Sequence, residues 1–347
     1  MAKPNFRLLV GGSQFVGLVG ALLFAGGTAA AQPPRCTTQS LPQVTASAVP
    51  LDPADAARRD VGRLRYRGGI LLEHRDPRFG AFSGMVVQES GKRLVSVNNG
   101  YWLDTELAYD ASGDLAGFKM NCLSALLDEN GKPLEWWEDQ DAEGLTFDGE
   151  KYLVGFEENL RVWSYSDPSA SARNVPLPAD FANGVPPGAG YSSVASDGPG
   201  RFYVITELGR NAAKDTKGYM HTESAKGEVW IAARDGERQY LPVDLAVLPS
   251  GDFVLVEITP IRVADGSFQY LKLRLSIVEK AALIPGNRIT PITISEMEPP
   301  IVAEKYEAVA SRVGPNGETL IYLMSDDGRK RGGRTIIRQF ELLKDNQ

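Results

Sequence analysis

The sequence predicts an all-β fold, a six-bladed β-propeller closed by pairing of the C-terminal strand with an N-terminal hairpin. Three observations predict it. A two-strand signature recurs five times at intervals of about 50 to 60 residues, the period of a four-stranded blade with long connections. Glycine accounts for 36 of 347 residues, which favours many turns over long helices. The final segment, 334–342, alternates as a strand does and finds a partner in the alternating residues 64–73.

Residues 1–31 read as a signal peptide outside the fold. Lys3 and Arg7 precede an apolar run over 8–24, and Ala29-Ala30-Ala31 offers the small residues that a signal peptidase requires. The mature chain then starts at Gln32, in the periplasm or outside the cell. The alternative is an uncleaved anchor, but Gly, Ser and Gln interrupt the run, and no later segment could span a bilayer. Residues 32–60 are rich in Pro, Ser, Thr and Ala and form an extended lead-in, while the propeller occupies 61–345. Export also suits the cysteine count. Cys36 and Cys122 are the only pair, and in an oxidising compartment two such residues more often bridge than stay as buried thiols. The bridge would close a long loop and contribute roughly 4 kcal/mol in the chain-entropy model.

Structure begins with Leu64-Arg65-Tyr66-Arg67, Gly68-Gly69 and Ile70-Leu71-Leu72-Glu73, which read as an edge hairpin. The five copies follow. The first joins 82–87 to 93–99, and the second joins Asp141-Ala142-Glu143-Gly144-Leu145 to 151–158 across Asp148-Gly149. The third joins 191–196 to 201–207, the fourth 243–248 to 252–257, and the fifth 306–311 to 320–327. Outer strands are weaker, as at 161–165 and 228–233, and helix is confined to a turn or two within 277–283. A β-sandwich is the competing fold, disfavoured because the same polar-then-apolar order returns in every copy.

The formal net charge is −7, and removal of Lys3 and Arg7 makes the mature chain more acidic still. That argues against nucleic acid or an anionic lipid surface as partner and in favour of cations. In a propeller the first strand of each blade lines the axis, so Ser83, Glu143, Ser192, Asp244 and Glu307 form a ring. Asn98, Glu157 or Glu158, Glu207, Glu257 and Asp326 or Asp327 return to the same rim. Like charges so gathered repel unless a cation sits among them. Oxygen ligands without thiolate or imidazole suit Ca2+, with Mg2+ second, and two histidines in the chain argue against zinc.

The segments Phe79-Gly80-Ala81-Phe82-Ser83-Gly84-Met85, Asp141-Ala142-Glu143-Gly144-Leu145, 244–251, Tyr306-Glu307-Ala308-Val309-Ala310 and 333–337 resemble the phytase-like propeller family, described as "esterase-like activity of phytase". The resemblance runs from about Leu64 to Leu342. It implies a secreted or periplasmic six-bladed propeller and a calcium-dependent hydrolase of phosphoric esters. The third copy departs from it, with Tyr191-Ser192-Ser193 where an acidic residue is usual.

If the chain is an enzyme, metal-assisted hydrolysis of a small-molecule ester fits these residues best. Glu143, Glu157, Glu207, Asp244, Glu257 and Glu307 are the expected cation ligands, and Glu158 or Asp326 takes the proton. Arg210, Lys214 and Lys217 offer positive charge to an anionic substrate. No serine-hydrolase elbow, phosphate-binding loop, dinucleotide fingerprint or zincin motif occurs. Asp110-Ala111-Ser112-Gly113-Asp114 lacks the bidentate Glu of a calcium loop and reads as a turn. A monomer is expected. Two other readings stay open: a non-catalytic ligand- or partner-binding propeller of the envelope, and a lactonase-like hydrolase of carboxylic esters.

Overall fold

The computed structural model describes residues 44–186, 188, 190–233, 240–262, 268–302, 304–326 and 335–344. The chain divides into two compact units, Met1–Ala30 and Ala31–Gln347, and all described residues belong to the second. The expected signal peptide, Cys36 and Asp327 therefore lie outside the described residues. No helix among the described residues is long and apolar enough to cross a membrane.

Three strands come first: β1 (Thr45–Ala48), β2 (Asp60–Val61) and β3 (Leu64–Glu73). Four-stranded units then follow in chain order. The first comprises β4 (Phe82–Val87), β5 (Arg93–Asn98), β6 (Tyr101–Tyr109) and β7 (Leu115–Ala125). After a single helical turn, α1 (Trp137–Gln140), the second comprises β8 (Ala142–Phe147), β9 (Tyr152–Phe156), β10 (Arg161–Tyr165) and β11 (Arg173–Val175). The third holds β12 (Tyr191–Gly198), β13 (Arg201–Arg210), β14 (Thr216–His221) and β15 (Lys226–Ile231). β16 (Leu241–Val247), β17 (Phe253–Arg262) and β18 (Phe268–Val278) begin the fourth. A 3-10 turn at Lys280–Ala282 leads to β19 (Arg288–Ile289), which pairs with β15, and then to β20 (Ile292–Met297), which completes the fourth unit beside β18. The fifth holds β21 (Lys305–Val313), β22 (Thr319–Asp326) and β23 (Thr335–Leu342), with β3 as its outer strand.

The leading strands β4, β8, β12, β16 and β21 lie side by side in that order, and β21 lies beside β4, so the ring closes. Closure by β23 on β3 is as the sequence predicts, with Thr335 opposite Leu72 and Leu342 opposite Leu64. Two expectations are corrected. Residues 64–73 form one ten-residue strand instead of a hairpin. Gly68, at φ +97°, is absorbed as a bulge where β3 carries one residue more than β23. The units among the described residues number five and not six. β23 is the third strand of the fifth copy and β3 its fourth, so the closing pair completes the last copy and leaves no strands for a separate blade.

Burial follows the same ring. Second strands are apolar at nearly every position because both faces are covered by a neighbouring unit, as in 152–156 and 253–256. Alternate residues then serve opposite interfaces. Tyr152, Val154 and Phe156 pack toward Val97 and Trp102 of the first unit, while Leu153 packs toward Val194 and Val204 of the third. Phe253 and Leu255 join Tyr203 and Ile205, whereas Val254 and Val256 join Val309 and Leu323. The fifth unit meets the first through Tyr322, Met324 and Ile337 against Met85, Leu94 and Leu103. Each such side chain contributes roughly 1.5–3 kcal/mol on full burial, so the ring is held by its five interfaces.

Near the axis the leading strands approach so closely that two positions exclude a side chain. A Cβ at Gly84 would lie 2.5 Å from the Leu145 nitrogen, and one at Gly144 would lie 2.6 Å from the Val194 nitrogen. Neither obstacle is a mobile side chain. Gly144→Ala is therefore expected to lower stability by about 1–3 kcal/mol, whereas Gly155→Ala, whose nearest neighbour would be an ordinary contact at 3.6 Å, should change it by less than about 0.5 kcal/mol. Urea unfolding of the two variants checks this; equal losses would contradict the close approach.

Candidate metal centre

Each leading strand carries a bulge near its start, one residue after it begins to pair with its second strand in the first three units and two residues after in the fourth and fifth. Register skips a residue at Ser83 between Phe82↔Asn98 and Gly84↔Val97, and at Glu143 between Ala142↔Phe156 and Gly144↔Gly155. The same skip falls at Ser192, at Val243 and at Glu307. A bulge leaves one residue unpaired and re-aims its side chain, so these five positions share one level of the ring. The residues two before each bulge, Ala81, Asp141, Gly190, Leu241 and Lys305, form a second level. On the returning strands Glu157, Glu207, Ile258 and Asp326 lie opposite Asp141, Gly190, Leu241 and Lys305. Asn99 occupies the corresponding place in the first unit.

Glu143 and Glu307 thus stand at the bulge level, and Glu157 and Glu207 at the level of the returning strands. Asp244 and Glu257 stand at neither: the fourth unit is slipped by one residue relative to the others and presents Leu241, Val243 and Ile258 at the shared levels. Side chains on a strand alternate in direction, so the slip of one residue sets both carboxylates at a different level, although the charge of Glu307 still bears on Asp244 and that of Glu257 on Arg210. Asp244 is buried, and its two oxygens accept the Leu245 N–H at 2.8 Å and the Val309 N–H at 2.7 Å, tying β16 to β21. Burial drives its pKa well up against the pull of those two donors. Glu257 is buried and accepts from Ser276 Oγ at 3.0 Å. Both accept hydrogen bonds within the fold, and neither stands at the level of Glu143 or Glu157.

Asp141, Glu143 and Glu157 each offer a carboxylate oxygen, and the three oxygens lie within 4.8 Å of one another. All three residues are half-buried. Asn99 Nδ2 donates to Asp141 Oδ1 at 2.7 Å, and Gln140 Nε2 anchors the preceding turn on the Leu134 carbonyl at 2.6 Å. Burial raises Glu143 well above the usual glutamate range, with the charges of Glu307, Glu157 and Asp141 adding to it. Burial likewise pushes Glu157 up to about 8, reinforced by Glu207 and Asp141. Glu207, hydrogen-bonded to Glu157, is raised by burial while Lys305 and Arg210 oppose. Lys305 contacts Glu307 directly, and its charge bears on Glu143, Glu157 and Glu207.

The donor set fits a hard divalent ion. An ion with oxygen ligands at about 2.4 Å can be reached by oxygens no more than twice that distance apart, which the Asp141, Glu143 and Glu157 oxygens satisfy. A cation there would also offset the burial and mutual repulsion that raise Glu143 and Glu157.

The remaining expected residues are spread more widely. Glu158 is half-buried beside Glu157 and adds to its upward shift. The backbone of Asp326 lies opposite Lys305 at the rim. Arg210 adjoins the rim: burial lowers its pKa while Glu207 and Glu257 oppose, and it donates to the carbonyls of Lys214 at 2.8 Å and Tyr240 at 3.3 Å. Lys214 is exposed in a tight turn at φ +64°. Lys217 is buried on β14, its Nζ held by Glu228 at 2.8 Å, the Asn183 carbonyl at 3.3 Å and the Phe181 ring. His221 stacks on Phe202, and Cys122 is buried on β7. Asp110 Oδ1 caps the Ser112 and Asp114 N–H groups, which makes 110–114 the expected turn.

Sequence reasoning missed Asp141 as a ligand, Asn99 as its partner, and Lys305. The signal that could have found them is the shared spacing of Asp141-Ala142-Glu143 and Lys305-Tyr306-Glu307, which aligns the copies on their bulges.

A profile of the phytase-like family, described as "Esterase-like activity of phytase", matches residues 77–328. Among curated protein sequences none matches the chain. Solved structures similar to it include sucrose-6-phosphate hydrolase from Lactobacillus gasseri, at 11% identity and TM-score 0.44 over 77% of this chain and 60% of that one. Another is the PQQ-bound aldose sugar dehydrogenase of Streptomyces coelicolor, at 8% identity and TM-score 0.38 over 87% and 99%.

The rim charges make stability depend on pH. With a chelator present, the folded chain keeps a proton on Glu157 up to about pH 8, while the unfolded chain loses it in the ordinary glutamate range. The folded state binds more protons in that window, so stability falls as pH rises through it. Glu157→Gln is expected to exceed wild type by about 1–2 kcal/mol above pH 8, with the gap shrinking toward about pH 5. Parallel pH profiles of the urea midpoint for the two proteins would contradict this.

Proposed function

We propose that this chain, which belongs to the phytase-like family, is an exported hydrolase of phosphoric esters that uses a hard divalent cation, calcium ahead of magnesium. The observation that carries the reading is the convergence of the Asp141, Glu143 and Glu157 oxygens, all from one unit of the ring, on a space the size of such an ion. Glu143 and Glu157 would hold the ion on opposite strands of one bulge, with Asp141 oriented by Asn99. When bound, the cation supplies Lewis acidity toward a phosphoryl oxygen and toward an attacking water. Glu207, bonded to Glu157, fixes that carboxylate's orientation. Glu158 and Asp326, next to the ligands or at the same level of the rim, are the proposed proton acceptors. Arg210 sets a cation beside Glu207 and is the residue best placed to orient an anionic ester. Export rests on the residues of 1–31; an N-terminus other than Gln32 on protein recovered from a secreting host would remove that part.

One observation favours a second reading, a non-catalytic propeller that binds a ligand. The third and fourth units place Ser192 and Val243 at the bulge, so the rim is not acidic all round. A panel of phosphomonoesters, lactones and acyl esters, assayed with calcium and with chelator, separates the readings. The expected result is calcium-dependent phosphoester turnover that falls at least about 100-fold in Glu143→Gln. Turnover of lactones alone would move the substrate class, and no turnover of any ester would leave the binding role.

A further inference from the structure

Lys305 occupies in the fifth unit the place that Asp141 occupies in the second. Each stands two residues before a bulged glutamate, Glu307 and Glu143, and each faces the returning strand at the same level, Lys305 opposite Asp326 and Asp141 opposite Glu157. The repeat therefore sets an ammonium at a position where its counterpart is a candidate ligand. β4 lies beside both β8 and β21, and Glu143 and Glu307 stand at the matching bulge of their strands, so the two units face a common space.

The Lys305 side chain is 27% exposed and its Nζ contacts Glu307 Oε1. A single ammonium, already paired with Glu307 of its own unit, therefore stands at the level of the rim where Asp141 stands in the second unit. A lysine head is a compact point charge on a flexible stem, able to sit among carboxylates and to leave them without disturbing the backbone. A divalent ion in the Asp141, Glu143 and Glu157 set would bring two positive charges against it. Like charges repel more strongly the closer they lie and the less water screens them, so the ammonium and a bound ion disfavour each other at the rim.

We propose that Lys305 is the built-in counter-ion of the rim and an internal competitor for the cation, so that loading a divalent ion drives its ammonium off the carboxylates and the lysine sets the ion's affinity. This rests on the reading of the rim as a cation site. The affinity is lowered because binding must proceed through the arrangement in which the ammonium has left.

Calorimetric titration of the mature protein with Ca2+ tests it, with wild type, Lys305→Met and Lys305→Arg compared. Lys305→Met is expected to bind at least about tenfold more tightly than wild type, and Lys305→Arg within about threefold of it. In chelator, Lys305→Met should melt below wild type and gain more on adding calcium. Should Lys305→Met fail to fold, Lys305→Gln, which keeps a polar head without the charge, is read in the same way. Equal affinity in wild type and the neutral variants would overturn the proposal while leaving the cation site standing. Weaker binding in the neutral variants would also overturn it, since the lysine would then be ordering the ligands. Absence of binding in every protein would remove the cation site and this proposal together.

Discussion

Closure of the ring through β23 on β3 is the constraint on which the remaining structure depends. It joins residues 335–342 to 64–72, almost the full length of the described chain apart in sequence, and by completing the fifth unit it brings β21 beside β4. Without that contact the five leading strands would form an open row with two exposed edges. Glu307 would then have no fixed relation to Glu143. The closeness of the leading strands tightens the same constraint, since Gly84 and Gly144 let backbone meet backbone where any Cβ would intervene. Five interfaces of alternating side chains then hold each unit at a set angle to the next.

The cost of that geometry falls on the rim. Carboxylates from the second, third and fifth units are drawn together in partly buried surroundings, where burial pushes Glu143, Glu157 and Glu207 toward their neutral forms. Three responses are visible. Asn99 donates to Asp141, Glu157 and Glu207 share a hydrogen bond, and Lys305 supplies a positive charge. Perturbed carboxylates gathered in this way mark candidate functional sites. Arg93 with Asp104 is the contrasting case: a buried pair at 2.7 Å, with Asn121 donating to the same carboxylate at 3.3 Å.

Much of the fold was legible because each second strand is a dense apolar run bounded by turn residues, and because Glu143, Glu157, Glu207 and Glu307 stand at matching ends of the copies. The blade count was not, since the last copy borrows its fourth strand from the N-terminal segment and sequence order hides that loan. The slip in the fourth unit was equally hidden. Pro242-Val243-Asp244 can be aligned with Ala142-Glu143 in either of two ways, and only the pairing of Pro242 with Glu257 shows that Val243 is the bulged residue. Asp141 and Lys305 lie before the apolar strand that signals each copy, where a hydrophobic pattern gives no reason to look. Their significance comes from rotation about the ring, a relation that periodicity along the chain does not display.

The most direct measurement of the account is diffraction from crystals of the mature protein soaked with Tb3+ in place of calcium, with the ion located by its anomalous signal. The account predicts a peak bonded at about 2.4 Å to oxygens of Asp141, Glu143 and Glu157. A rim without a peak, or an ion bound only to scattered surface carboxylates, would contradict it.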